Sequence, residues 1–371
     1  MTVSNRYGRL CLIGDPPDRF FGLLRADWQR RAWRRAGVEG AEGLVLASSD
    51  WALSPDLAAA LVARPGAALV APSASGRRLV AAHARDETAR LAVEALIQHP
   101  DVAEAEIEAL GLRPETAAAF ADAGAERDQP FAIGIDQEGV EAAEAAYFRA
   151  VYPSPADIVT EAAWPAPSLA AVRWCAARRI SPHAVTTVGL LSGLLAFLVF
   201  WSASWLLGFV FAAASLLADV ADGQLARVAM KESRLGAAYR RATGAALPAL
   251  WLWAWFEGGA GADGAPLWLG AAFAVALLAH AAALAVEELF RRAHGFEIRE
   301  WAPEDAALRR FGAGRNVTTL VFMVFCVLGA PGLGLVAVAL HSLATAGLLI
   351  RRFRQAGGAS ADPPPAPYAA D

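Results

Sequence analysis

The chain has few cysteines, and their spacing gives them no common role. Of its 371 residues only Cys11, Cys175 and Cys326 are cysteine, and they are far apart. None belongs to a CxxC or Cys/His spacing, which argues against a zinc site and a disulfide framework. We interpret all three as small buried hydrophobic residues.

Two other features are also lacking. The opening stretch MTVSNRYGRLCLIGDPPDRF contains no apolar run of signal-peptide length, so we expect residue 1 to lie in the cytoplasm. No basic stretch is interleaved with aromatic residues, and the net charge is -4. We therefore expect no nucleic-acid partner.

The composition predicts a division into a soluble part and a membrane part. Hydrophobic residues make up 56% and charged residues 19% of the chain, too apolar for a simple soluble enzyme and too charged for membrane alone. Residues 1–150 alternate short apolar runs such as RLCLIG and GLVLASSDW with helical stretches, which predicts an α/β domain. Within it, Ser54 is placed to cap a helix that begins at Pro55.

Residues 151–182, which include Pro153, Pro155, Pro165 and Pro167, are predicted to be a linker and interfacial segment. Residues 183–355 hold apolar runs near the roughly 20 residues that a bilayer requires. We count six: about 185–203, 205–221, 237–256, 267–289, 317–330 and 332–350. Residues 356–371 have the composition of a disordered tail.

Charge placement gives an independent orientation for these runs. Arginines and one lysine cluster before the first, between the second and third, between the fourth and fifth, and after the sixth. The other three loops contain neither residue. By the positive-inside rule we expect a multi-pass protein of the inner (cytoplasmic) membrane with both termini in the cytoplasm. The expected fold is thus an α/β N-terminal cytoplasmic domain followed by an all-α six-helix transmembrane bundle.

Two aspartates at the cytoplasmic end of the second run are the main functional signal. Asp219 and Asp222 are three residues apart and therefore share one helix face. Gly223 permits close approach of a ligand, Ala226 keeps the face clear, and Arg227 offers a planar donor set for phosphate. This set suits a divalent cation and a pyrophosphate. The alternative is that the acids end a membrane helix and pair with Arg227 or Lys231.

The stretch Asp219-x2-Asp222-Gly223-x2-Ala226-Arg227-x8-Gly236 resembles the signature of the CDP-alcohol phosphatidyltransferase family. ISPHAVT at 180–186 and PADIVT at 155–160 are similar to two further family elements. The resemblance implies transfer of a substituted phosphate from a CDP-alcohol to an alcohol acceptor, with release of CMP, in phospholipid or inositol-phosphate-type lipid synthesis. It also implies two divalent metals held by four aspartates, the last of which is the general base. Membrane lipids and a second copy of the chain, as a homodimer, are the expected partners.

The chain departs from this signature at its second half. Counting from Gly236, the third acidic position is Arg240 and the fourth is Gly244. At an effective dielectric near 20, one opposed unit charge at about 4 Å is worth roughly 4 kcal/mol, so the arginine disfavours a metal pair. We expect either one magnesium or manganese ion on Asp219 and Asp222, or none, with Arg240 neutralising phosphate. Glycine cannot act as a base.

Two hypotheses follow for the membrane part. Either it is an active transferase with Gly223, Ala226, Arg227, Gly236 and Arg240 binding substrate, or it is an inactive relative that serves as a binding or scaffold protein. A transporter is disfavoured because the chain has no paired broken helices or internal repeats. His183, Glu232 and Glu257 are weak substitutes for the missing base.

The N-terminal part resembles a degenerate nucleotidyltransferase of the sugar-phosphate type over about residues 8–135. Its IGDPPDRF stretch has a single glycine, so the phosphate cradle is incomplete. Asp50 stands where the resemblance implies a metal ligand, and the alternative is a turn or capping aspartate.

Three smaller expectations concern side chains inside the membrane part. Trp251, Trp253 and Trp255 are expected in an interfacial aromatic belt near the outer end of the third run. His280 and His341 are expected to pack or to hydrogen-bond between helices rather than to ligate a metal.

Overall fold

The computed structural model describes residues 4–73, 76–120, 130–152, 156–260, 264–302 and 305–357. The chain divides into two compact units. The first comprises Met1–Tyr152, Val172–Arg179 and Gln224–Lys231, and the second comprises Pro153–Ala171, Ile180–Gly223 and Glu232–Asp371. The predicted tail comprises residues 356–371. Residues 356 and 357 end the helix Pro331–Gly357, and the tail from residue 358 onward lies outside the described residues.

The first unit has ten described strands. They are β1 Ser4–Tyr7, β2 Leu10–Ile13, β3 Arg19–Phe20, β4 Leu23–Leu24, β5 Leu44–Ser48, β6 Trp51–Leu53, β7 Ala67–Ser73, β8 Gly76–Ala84, β9 Arg113–Glu115 and β10 Ala132–Gly134. Its helices are α1 Arg25–Arg35, α2 Pro55–Val62, α3 Arg90–Gln98, α4 Glu104–Glu108, α5 Ile135–Glu138 and α6 Val140–Ala150.

Six of these strands form a mixed sheet in the order β1-β2-β5-β8-β7-β9. The β2–β5 and β7–β9 pairs are parallel and the other neighbours are antiparallel. Alternate residues of β2 point to opposite faces: Leu10 and Leu12 belong to one apolar cluster, Cys11 and Ile13 to another. A sheet buried on both faces confirms the α/β expectation for this part.

The remaining helices run through the linker and the apolar half of the chain. They are α7 Ile158–Ala163, α8 Pro165–Ala177, α9 Pro182–Trp201, α10 Trp205–Val228, α11 Arg234–Ala260, α12 Leu267–His294, α13 Asp305–Phe311, α14 Arg315–Val327 and α15 Pro331–Gly357. Bulky side chains such as Phe200, Trp251, Trp255 and Phe322 form the core of the second unit. In contrast Leu198, Leu206 and Leu278 are 60%, 81% and 70% exposed, as lipid-facing side chains would be.

Four helices in the described part of the chain are long and apolar enough to cross a membrane: α9, α10, α12 and α15. A multi-pass membrane protein is therefore supported, whereas the count of six is not confirmed. The third predicted run lies in α11, whose first turns carry Arg234, Arg240 and Arg241. The fifth lies in α14, whose 13 residues span only about 20 Å at 1.5 Å per residue, short of a hydrocarbon core of about 30 Å.

Candidate functional site

Asp222 is the most enclosed acid of the predicted motif. Its side chain is 3% exposed. One carboxylate oxygen accepts a hydrogen bond from the Thr186 hydroxyl at 2.5 Å, and the other faces the Arg240 guanidinium at 3.3 Å. Thr186 lies in the second turn of α9, which Ser181 caps and Pro182 begins. The ISPHAVT stretch thus places a hydroxyl against the motif acid.

Asp219 has a different cation. It forms an ion pair with Arg315, the first residue of α14. Arg315 is 11% exposed and Asp219 33% exposed, so this pair is also largely withdrawn from solvent. Each motif carboxylate therefore faces its own guanidinium group, one from α11 and one from α14.

The start of α14 is fixed by the linker helix α7. Asp157 caps α7 by accepting from the backbone N–H groups of Val159 and Thr160 at 3.1 and 3.0 Å. The same carboxylate accepts from the amide of Asn316 at 3.0 Å, and that amide also donates to Thr160 Oγ1 at 2.9 Å. Because Asn316 follows Arg315 directly, these bonds hold the chain where Arg315 reaches Asp219. The PADIVT stretch has this local role, with its Pro155 outside the described residues.

Two glycines of the motif differ in what surrounds them. A Cβ atom at Gly223 would lie 2.5 Å from Arg240 Nη1, so only glycine lets this arginine approach Asp222. A Cβ at Gly244 would meet nothing within 4 Å. The position of the missing fourth acid is therefore open space, whereas the position of the third holds an arginine engaged with the second.

The charges of this site do not fit the metal pair that the resemblance implies. Two carboxylates face two guanidinium groups, so the four side chains carry no net charge. Within the described ranges, no three His, Cys, Asp or Glu side chains lie where they could share a metal ion. A divalent cation would have to displace at least one arginine from an aspartate, at the cost of a buried ion pair.

The other predicted binding residues are spread more widely. A Cβ at Gly236 would lie 2.9 Å from His183 Cε1, so this glycine makes room for the imidazole. Ala226 and Arg227 belong to the first unit. There Ala226 is buried, and Arg227 Nη1 lies 3.5 Å from the Val151 carbonyl oxygen, a long hydrogen bond. Asp222, Gly223 and Arg240 are thus the three predicted residues that the structure brings into direct contact.

A second carboxylate–arginine cluster lies in the first unit. The Arg25 side chain is 1% exposed and pairs with Asp136 at 2.5 Å, Asp18 at 2.9 Å and Asp50 at 3.4 Å. Arg25 begins α1, Asp50 follows β5, and Asp136 lies in α5. One buried cation therefore joins three segments of the chain, and the carboxylates outnumber it three to one.

Asp50, the predicted metal ligand of this unit, titrates abnormally. Burial and the nearby Asp136 carboxylate raise the pKa of Asp50 to about 6, against the opposing effect of Arg25 and Arg78. Gly14, the single glycine of the IGDPPDRF stretch, has a φ of 94° and packs against Ser49. The turn of the incomplete cradle is thus filled by the chain's own side chains.

The smaller expectations have mixed outcomes. Ser54 caps α2 as predicted, accepting from the Leu57 N–H. His280 and His341 hydrogen-bond to the carbonyls of Ala245 and Phe311 on other segments at 3.2 and 2.7 Å, which confirms their bridging role.

The prediction of an interfacial aromatic belt is wrong for Trp251 and Trp255, two of its three residues. Trp251 is buried and donates to the Gly193 carbonyl at 2.8 Å, and Trp255 is buried and stacks on Phe322. Trp253 is 43% exposed. Alternate residues of a helix lie about 200° apart, so three tryptophans spaced by two cannot share one face.

The sequence reasoning missed Thr186 and Arg315 as partners of the motif acids. Arg315 belongs to the basic cluster between the fourth and fifth runs, and its place directly before an apolar run marks it as the first residue of a helix. No local signal names its partner, because Asp219 lies 96 residues earlier.

Comparison of the chain with protein-family models gives no match, and comparison with curated proteins gives none either. The family resemblance therefore remains a prediction that depends on the motif residues.

Proposed function

We propose that the second unit is a CDP-alcohol phosphotransferase-like membrane bundle of six helices, with both termini in the cytoplasm, whose catalytic site has become a binding site. The basic clusters around α11, between α12 and α14 and after α15 support this orientation. In this arrangement α11 and the short α14 complete the bundle beside the four apolar helices.

The ion pair between Asp222 and Arg240 is the observation that carries the proposal. Transfer in the family requires carboxylates free to hold metal ions and a base near the acceptor hydroxyl. Here Asp222 forms an ion pair with Arg240 and Asp219 forms one with Arg315. Gly244 stands at the position of the base. We infer a non-catalytic binding or scaffold protein with affinity for a CDP-alcohol or a lipid headgroup.

A transferase is the second candidate. Arg240 is 37% exposed, so its guanidinium can leave Asp222 for solvent or for a substrate phosphate. All six positions of the motif are also present in the sequence. An active site would then use one magnesium or manganese ion on Asp219 and Asp222.

Release of CMP separates the two candidates. Purified full-length protein is incubated with labelled CDP-alcohols, magnesium or manganese, and alcohol acceptors. We expect no CMP above the level of the Asp222→Asn variant. In parallel, equilibrium dialysis without metal should detect binding of the CDP-alcohol. CMP release that Asp222→Asn abolishes would establish the transferase instead, and absence of both release and binding would leave the binding proposal without support.

A variant that rebuilds the missing acids tests the physical reason. Because Gly244 faces open space, an aspartate fits there, and Arg240→Asp removes the competing cation. The double variant Arg240→Asp, Gly244→Asp should bind manganese, as read by the loss of the free-ion EPR signal. The matched control is Arg240→Asp, Gly244→Asn, which has the same shape with one carboxylate fewer. Equal manganese binding by wild type and double variant would show that the arginine does not exclude the ion.

A further inference from the structure

A cavity of about 720 Å³ lies within the second unit, apart from the motif acids. It is bounded by the first turns of α11, the last turns of α12 and the segment that follows α12. Its charged lining residues are Arg241, Glu287, Glu288, Arg291, Glu297 and Arg299. Its described lining residues include neither Asp219 nor Asp222.

Most of these charges already neutralise one another. Glu287 pairs with Arg299 at 2.7 Å. Glu288 accepts from Arg291 at 2.6 Å and from Arg292 at 2.6 Å, so two guanidinium groups share one carboxylate. These bonds keep the carboxylates from repelling an anion in the cavity.

Arg241 is the exception. Its side chain has no ion pair or hydrogen bond with any other described residue. Among the charged residues that line the cavity, three arginines (Arg241, Arg291 and Arg299) face three glutamates (Glu287, Glu288 and Glu297). The lining is therefore balanced in charge, and Arg241 is its cation without an ion pair to a described residue, at the wall formed by α11.

Small side chains keep the cavity open. Ala242 and Ala245 on α11 and Gly314 before α14 leave the volume unfilled, and Leu284 and Ile298 add apolar wall. The volume is within the roughly 300–1,000 Å³ typical of small-molecule sites. A mostly paired polar lining with one free guanidinium is suited to one anionic group on a larger ligand.

We propose that this cavity binds a phosphate-bearing ligand, with the phosphate on Arg241. The ligand is either the headgroup of an anionic lipid or a soluble phosphate ester. The site is independent of the CDP-alcohol proposal, because it uses none of the motif acids.

Binding to purified full-length protein in a neutral detergent tests the proposal. The two probes are dihexanoyl phosphatidic acid and glycerol 3-phosphate, measured by isothermal titration calorimetry at constant ionic strength. Arg241→Gln should weaken binding roughly tenfold or more, the usual effect of losing one charge-assisted hydrogen bond of about 1.5–3 kcal/mol. Arg351→Gln removes an exposed arginine from the end of α15 and should leave the affinity unchanged.

A second variant protects the test against misfolding. Ala245→Trp fills the cavity without changing charge and should weaken binding in protein whose unfolding midpoint matches the wild type. Binding of phosphatidic acid alone would assign a lipid headgroup, and binding of both probes a phosphate ester in general. Failure of the wild type to bind either probe, or equal binding by wild type and Arg241→Gln, would overturn the proposal.

Discussion

The two carboxylate–arginine clusters differ in their balance of charge. In the first unit Arg25 serves three carboxylates, Asp18, Asp50 and Asp136. In the second unit Asp219 and Asp222 each have an arginine of their own. Burial and the excess negative charge of the first cluster raise the pKa of Asp50, whereas the second cluster is neutral. The capacity of acids to hold a cation thus depends on their neighbours as much as on their number.

The largest effect on stability is expected when Arg25, the cation shared by three carboxylates, is removed. Arg25→Met would leave three carboxylates together with no guanidinium between them. We expect a loss of about 3 kcal/mol of stability, the low end of the range for breaking a buried ion pair from one side, because the remaining carboxylates are partly exposed. Thermal unfolding of the full chain measures it. Arg30→Met, which removes a surface arginine paired with Asp27, should cost well under about 1 kcal/mol. Equal losses in the free energy of unfolding for the two variants would contradict a stabilising role for the Arg25 ion pairs.

The matching change in the second unit is Arg240→Met. Among the described residues it leaves the buried Asp222 with Thr186 as its hydrogen-bond partner. We expect a cost of about 2 kcal/mol, less than for Arg25, because Arg240 is itself partly exposed. In the double variant Arg240→Met, Asp222→Asn the buried charge is gone, and most of the lost stability should return. A double-mutant cycle measures the coupling, and additive losses would show that the pair contributes nothing.

The smallest effect is a pH dependence in the first unit. The folded pKa of Asp50 is about 6, above its ordinary value of 3.8, so the folded state holds this proton more tightly. Stability from this group is complete below about pH 4 and is lost as the pH rises through 6. Partial exposure reduces the expected loss to on the order of 1–2 kcal/mol.

The measurement compares unfolding of wild type and Asp50→Asn from pH 4 to pH 7. The wild type should lose stability relative to the variant as the pH rises, since asparagine does not titrate. A constant difference between the two proteins across this range would rule out the raised pKa.

Local patterns were sufficient for much of the fold. The short apolar run at β2, the cap at Ser54 and the i, i+3 spacing of Asp219 and Asp222 all depend on residues within a turn or two of one another. The count of six spans is not confirmed, because α11 mixes arginines with apolar residues and α14 is short. Trp251 and Trp255 show the same limit, since their burial depends on Gly193 and Phe322 from other helices.

The sequence by itself determined that two acids and a glycine share a helix face, because helical geometry is set by nearest neighbours along the chain. Only the tertiary structure decided which cations meet them. Arg240 reaches Asp222 across Gly223, and Arg315 reaches Asp219 because α7 holds the start of α14. Ion pairing depends on distances of a few ångströms between side chains far apart in sequence, and packing alone sets those distances.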